Sequence, residues 1–486
     1  MRQLNSLLSL TCTLCHFKIF PMKKWITLLF AVSSLWAFDR PADFHSLEKE
    51  TSGIHLKVVG EIPDWIEGTY VRNGPSKFFA GGQTVSHWFD GLSMLHAFHL
   101  EEGQCSYSNH FLETNAYQYM REGKLPPGGF SKTSSLPIDP LEGEFHPKRP
   151  NAVVNVAQFD QTAVALTETP TPVTFDLESL KTLGVFNYED ELPIDRSYST
   201  AHLHERDGKI YGYLVEIGPT SRYIFYSQEK NKRQELCSIP ITDPGYVHSF
   251  SITDHYILFV DYPLRLNFQR LASGEGFIQS FEWNDQGESR FYVIDRHTGV
   301  CLKILKGPPF FSFHHINAFE EEEKIIVDLI GYSDAQVIFG KGDTDLGYRR
   351  LVIDNTVSCT QVIEIEAELP RIHYESYNGK PYQFFYATCF RKNISPLDAP
   401  PIYKVDILRG THQTWAQVGY FASEPVFIPH PEGTREDDGV ILSILTRHDH
   451  TDSFLLILDA ATFKEVGRVY APHGIPQGLH GSFFNQ

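Results

Sequence analysis

HYILFVDY at residues 255–262, SRFYVIDR at 289–296 and EKIIVDLI at 323–330 are the stretches on which the fold turns. Each is short, rich in β-branched and aromatic residues, and bounded by Gly, Asn, Asp or Pro, the pattern of a strand rather than of a helix. The same kind of run recurs as PYQFFYAT (381–388), DGVILSIL (438–445) and SFLLILDA (453–460). Turn signals separate such runs: DGK at 207–209, DQG at 285–287, HTG at 297–299 and NGK at 378–380. Long helical periodicity is absent, so an all-β array of hairpins is expected over an α/β plan. No exact repeat stands out, and no interior linker divides residues 54–486. The Pro/Gly-rich REGKLPPGGFSKTSSLPIDP (121–140) reads as one long loop.

Composition narrows the function classes. The chain has 486 residues, a formal net charge of −18 and 13% aromatic residues. That acidic balance argues against nucleic acid as the main partner, since phosphate binding needs a basic face. The N-terminus differs: residues 1–38 hold Arg2, Lys18, Lys23 and Lys24 and no acid. From Met22, MKKWITLLFAVSSLWAF has the basic and then apolar order of a secretory signal, with a cut after Ala37 or an uncleaved anchor as the two outcomes. Leu35 stands where a small residue is preferred before such a cut. Export to a periplasmic or extracellular space, or membrane anchoring, is expected, with a cytoplasmic membrane-associated protein as the alternative. Cys12 and Cys15 fall in that segment, and the remaining five cysteines are dispersed and odd in number, which is no disulfide framework.

The chemistry is carried by four histidines far apart in the chain: His202 in TAHLHE, His248 in YVHSF, His314 in FFSFHHIN and His480 in GLHGSFF. Successive members are 46, 66 and 166 residues apart. That is too long for a local metal loop but natural if each sits at the end of a different strand of a closed β structure. An all-imidazole set suits iron, zinc, copper or nickel. His204 and His315 are read as turned away from such a site by their strands, His448 and His450 as loop residues, and His87 and His99 as packing groups.

The segments GTYVRNGP (68–75), HWFDGLSMLHAF (87–98), TAHLH (200–204), YVHSF (246–250), FHHINAFE (313–320), ELP (368–370), SEPVFIPHP (423–431), EDDGVILS (436–443) and GLHGSFF (478–484) resemble the carotenoid cleavage oxygenases. The likeness is greatest to the branch containing the retinal-pigment-epithelium isomerase and the animal carotene oxygenases. The resemblance implies a seven-bladed β-propeller over residues 39–486, following an extension of residues 1–38, with a loop cap over a substrate tunnel. It implies non-haem Fe(II) on the axis, held by His202, His248, His314 and His480, and no catalytic side chain beyond that centre. The reaction implied is cleavage by O₂ of a conjugated double bond in a carotenoid or apocarotenoid, giving aldehyde or ketone products. Stilbenoid cleavage, retinoid isomerisation and a non-catalytic lipid-binding propeller are the alternatives.

By the same resemblance Glu168 would orient His248, Glu368 would orient His314 and Glu424 would orient His480, leaving His202 without a carboxylate. Metal-bound histidines ordinarily have their second ring nitrogen held in this way. Phe78, Tyr117, Phe313, Tyr332 and Leu479 align with or beside tunnel-lining positions of the relatives. A hydrophobic polyene substrate also implies peripheral membrane contact. LRLNFQRLASGEGFIQSF (264–281), with Arg265 and Arg270, and the 121–136 loop are the expected docking surfaces. Pro137-Ile138-Asp139-Pro140 is followed by Leu141, where vertebrate relatives continue with Cys-Lys. That departure favours cleavage over isomerisation.

Overall fold

The runs that read as strands are strands, and their near-continuous apolar character has a simple cause. Tyr256–Asp261, Gly439–Arg447 and Ser453–Asp459 are buried along almost their whole length because each lies mid-sheet with another sheet packed on both faces. Outer strands such as Thr411–Trp415 and Cys301–Gly307 are largely exposed and more polar. A computed structural model describes residues 44–131, 151–340, 345–389 and 395–485. The signal or anchor segment, Cys12 and Cys15, and the 137–141 departure lie outside them, as do 132–136 of the loop. Trp36–Gln486 is one compact unit.

Seven antiparallel sheets of four or more strands follow one another along the chain as blades. Blade 2 begins with Asn155–Phe159, blade 4 with Ser251–Ile252, blade 5 with His315–Glu321 and blade 6 with Ala367–Arg371. In blades 3 and 7 the first strand is broken in two. Ser197–Ser199 and His204–Arg206 both pair with Lys209–Glu216, and Tyr420–Ala422 and Val426–Pro429 both pair with Gly439–Arg447. The ring is closed twice over. The C-terminal Gly481–Asn485 pairs with Gly68–Lys77 of blade 1, and the N-terminal Lys57–Gly60 adds to Lys464–Tyr470 of blade 7. Gly74 permits the first closure, since a Cβ there would lie 2.4 Å from the Gly478 Cα.

Between the second and third strands of blade 4, residues 264–283 form a two-stranded ribbon, Leu264–Leu266 with Phe281–Trp283, around the short helix Phe268–Ala272. Its apolar face is turned inward: Leu264 is 0% exposed, Leu266 5% and Phe281 1%, within the largest aromatic core cluster. Arg265 bonds the Asp261 carboxylate at 2.6 Å, and Arg270 pairs with Glu282 at 3.1 Å. The expectation that Leu264, Leu266 and Phe268 form a lipid-facing patch is therefore corrected, with only Phe268 exposed. The polar/apolar alternation is real, but its apolar side seals the protein's own core. Residues 126–131 dock on this ribbon, the Phe130 carbonyl accepting from the Ile278 amide and Ser131 from Gln279. No helix among the described residues is long and apolar enough to cross a membrane.

Candidate metal centre

His248 and His314 stand three and one residues before the first strands of blades 4 and 5, His480 stands one residue before the C-terminal strand that completes blade 1, and His202 lies in the break of the first strand of blade 3. Their ring nitrogens converge, one from each residue, within 4.8 Å of one another. The Nε2 atoms of His202 and His248 are 3.0 Å apart, and those of His314 and His480 are 3.2 Å apart. Neighbouring imidazoles on one ion, with metal–nitrogen bonds of about 2.0–2.1 Å, come to roughly this spacing. The donor set is neutral, nitrogen-only and mostly buried, so the residues present fit a borderline divalent metal.

The remaining blades supply the carboxylates. Glu168 of blade 2 accepts from His248 Nδ1 at 2.7 Å, Glu368 of blade 6 from His314 Nδ1 at 2.5 Å, and Glu424, in the broken strand of blade 7, from His480 Nδ1 at 2.7 Å. Each bond puts the ring proton on Nδ1 and leaves the Nε2 lone pair aimed at the centre. Among the described residues no carboxylate hydrogen-bonds His202. Thr200 fixes its backbone instead, its hydroxyl accepting the His202 amide and donating to the His248 carbonyl, both at 2.8 Å.

The carboxylates are themselves held, a duty that the motifs do not reveal for the groups involved. The Tyr246 hydroxyl donates to Glu168 and the Tyr332 hydroxyl to Glu368, each at 2.7 Å. Leu369 takes a left-handed φ of 54° ahead of Pro370 and turns its amide back onto the Glu368 carboxylate at 2.7 Å. A non-glycine residue in that region is strained, and such strain collects at functional sites. Among the described residues no tyrosine hydroxyl hydrogen-bonds Glu424. The Gly481 amide donates to it at 2.9 Å, and Arg72 and Arg371 stand 3.7 and 3.8 Å away. Burial pushes the Glu424 carboxyl up, but Arg371, His480 and Arg72 outweigh it and hold it at about 2. Burial also pushes Glu368 up, and His314, Tyr332 and the Leu369 amide reverse the shift. Burial takes His480 down to about 4, and takes His202 well below its ordinary value with help from the other three histidines and Arg371.

The neighbouring histidines turn elsewhere. His204 bonds the Phe250 carbonyl and the Tyr374 hydroxyl, each at 2.9 Å, and His315 bonds Ser251 and Tyr262. An unbroken strand would put residues 202 and 204 on one face. The break across 200–203, rather than alternation, is what parts them. His450 stacks on His45 at 4.4 Å, and His87 caps the turn Trp88–Asp90.

The five tunnel candidates divide. Phe313 packs edge-on to His248 at 5.4 Å and lies 5.9 Å from Tyr332, in the aromatic cluster shared with Tyr246 and Phe277. Phe78, Leu479 and the half-buried Tyr117 belong to a second cluster. Tyr332 is 1% exposed and carries the hydrogen bond to Glu368, a polar duty that an aromatic in a strand does not advertise.

A family model described as retinal pigment epithelial membrane protein matches residues 44–485. The mitochondrial carotenoid-cleaving dioxygenase of Macaca fascicularis is 30% identical, covering 90% of this chain and 93% of that protein. The chloroplastic carotenoid cleavage dioxygenase 8 of Arabidopsis thaliana is 29% identical, with 90% and 84% covered. Among solved structures, an ACO/RPE65 chimera superposes with a TM-score of 0.80 at 26% identity, covering 92% of this chain and 98% of the other. Cobalt-substituted Synechocystis ACO gives the same TM-score and coverage at 27% identity.

Proposed function

The chain belongs to the carotenoid oxygenase family described by the retinal pigment epithelial membrane protein model, and from that premise we propose that it is an Fe(II)-dependent dioxygenase which cleaves a conjugated double bond of a carotenoid or apocarotenoid. The observation that carries this reading is the convergence of four imidazole nitrogens, three of them backed by buried carboxylates, beside an aromatic-walled interior. His202, His248, His314 and His480 would hold the iron, and the bound iron would supply the electrons that O₂ activation requires.

The chain's own residues do the rest. Glu168, Glu368 and Glu424 keep each ring in the tautomer that offers Nε2. Phe313 and the surrounding Phe and Tyr side chains keep water out, and their faces suit cationic character developing on the polyene. Phe78, Tyr117, Leu479 and the wall of Tyr332 extend that surface. A polyene has almost no free aqueous concentration, which supports delivery from lipid. The basic and then apolar run from Met22 supports export or anchoring.

Metal analysis of purified protein should find about one iron per chain. His202→Ala, His248→Ala, His314→Ala and His480→Ala should each lower that content and abolish turnover, while His204→Ala keeps the metal. Full iron in the His480→Ala protein would sink the assignment. Mass spectrometry of products from a carotenoid, apocarotenoid and stilbenoid panel decides the substrate class.

A further inference from the structure

Arg72 and Arg371 stand beside Glu424 without hydrogen-bonding it. Their nitrogens are 3.7 and 3.8 Å from its oxygens, beyond the 2.7–3.2 Å of a hydrogen bond. One nitrogen of each donates to the backbone instead, Arg72 Nη2 to the Gly478 carbonyl at 2.6 Å and Arg371 Nη2 to the Gly481 carbonyl at 3.1 Å. Both carbonyls flank His480. The Glu424 oxygens are already taken by the His480 ring and the Gly481 amide. What the arginines bring to the carboxylate is therefore charge, and it acts on a fully buried Glu424, where charge counts for more than it does in water.

The distribution of charge is lopsided. Glu168 and Glu368 receive neutral hydroxyls, whereas two cations stand against Glu424. With neutral histidines, a divalent ion and three carboxylates would sum to −1, and the two arginines bring the assembly to +1. Fixed positive charge disfavours the more highly charged of two oxidation states. We propose that Arg371, with Arg72, is a positioning residue that biases a redox metal on the four histidines towards its divalent form. This rests on the iron reading above.

Arg371 is the member to test, because it is 30% exposed and lines two surface cavities, whereas Arg72 is 1% exposed. The full chain, loaded with iron without oxygen, is titrated with redox mediators and the ferric signal is read by electron paramagnetic resonance. One electron passes between mediator and iron, and no protein bond changes. In Arg371→Met the equilibrium should move about tenfold towards ferric, about 59 mV for a one-electron couple. Arg371→Lys, which keeps the charge, should stay near the parent. Should the Met variant not fold, Arg371→Gln gives the same readout. A neutral variant that titrates with the parent overturns the inference, as does a Lys variant shifted as far as Met. Failure of the parent to take up iron overturns the iron reading and this inference with it. Iron uptake with an unmoved potential overturns this inference alone.

Discussion

The two sides of the centre are built from different materials. On the side of blades 4 and 5, His248 and His314 lean on glutamates that also accept a tyrosine hydroxyl, Glu168 on the same oxygen that takes the ring and Glu368 on its other one. On the side of blade 1, His480 leans on a glutamate set between two arginines, and His202 beside it has no carboxylate hydrogen bond among the described residues. A hydroxyl orients a carboxylate at small electrostatic cost, whereas an arginine ties the carboxylate's charge into the folding balance. The same geometric task is therefore solved once by neutral hydrogen bonding and once by charge.

Removing the carboxylates tests that difference most severely. Glu168→Gln, Glu368→Gln and Glu424→Gln should each weaken iron binding by about 10- to 100-fold. Only Glu424→Gln should also cost about 3–5 kcal/mol of stability, because it strands the buried Arg72. Urea midpoints of the three metal-free variants report this, and equal midpoints would erase the contrast.

A pH series sharpens it. His480 sits at about 4 in the folded protein against 6.5 ordinarily, and His204, outside the centre, also sits at about 4. The unfolded chain takes protons that the folded one refuses, so the metal-free protein loses stability as pH falls from about 6.5 towards 4. Urea midpoints at pH 7 and 5 should differ in that direction, and His204→Gln should remove part of the slope without touching iron uptake. A flat profile would mean that these rings are not buried as described.

The smallest effects belong to the tyrosines. Tyr246→Phe and Tyr332→Phe should each cost about 0.5–1.5 kcal/mol and leave the iron in place. A total loss of iron in either would show that the hydroxyls, not the carboxylates, set the rings.

The sequence announced some of this architecture and concealed the rest. The four histidines and three glutamates sit in short motifs, Glu168 in LTETP (166–170) and the other six in the segments quoted above, so His202 and Glu424 can be picked out although no periodicity links them. Leu264 and Leu266 show the limit. Alternation states that one face of a strand is apolar, but not whether lipid or the protein's own core meets it. Arg72 lies inside the quoted GTYVRNGP and Arg371 directly follows ELP, yet Lys and Arg total 42 in the chain and are mostly solvated. Nothing local distinguishes these two, because their meaning depends on Glu424, which lies far along the chain from both. Tyr332 shows a related limit: its ring is legible in the sequence and the duty of its hydroxyl is not.

The double closure of the ring bears on how the protein is made. His202, His248 and His314 leave the ribosome well before His480, which emerges only with the strand that zips onto blade 1. Until residues 481–485 pair with the strand at 68–77, a nascent chain can offer a metal at most three of the four imidazoles. Joining segments some 400 residues apart is a slow, late event in folding. Metal capture would thus serve as a quality stamp: a chain stalled or trimmed before the strand at 481–485 lacks a finished set of four imidazoles, and a retained metal would certify that the circle was completed.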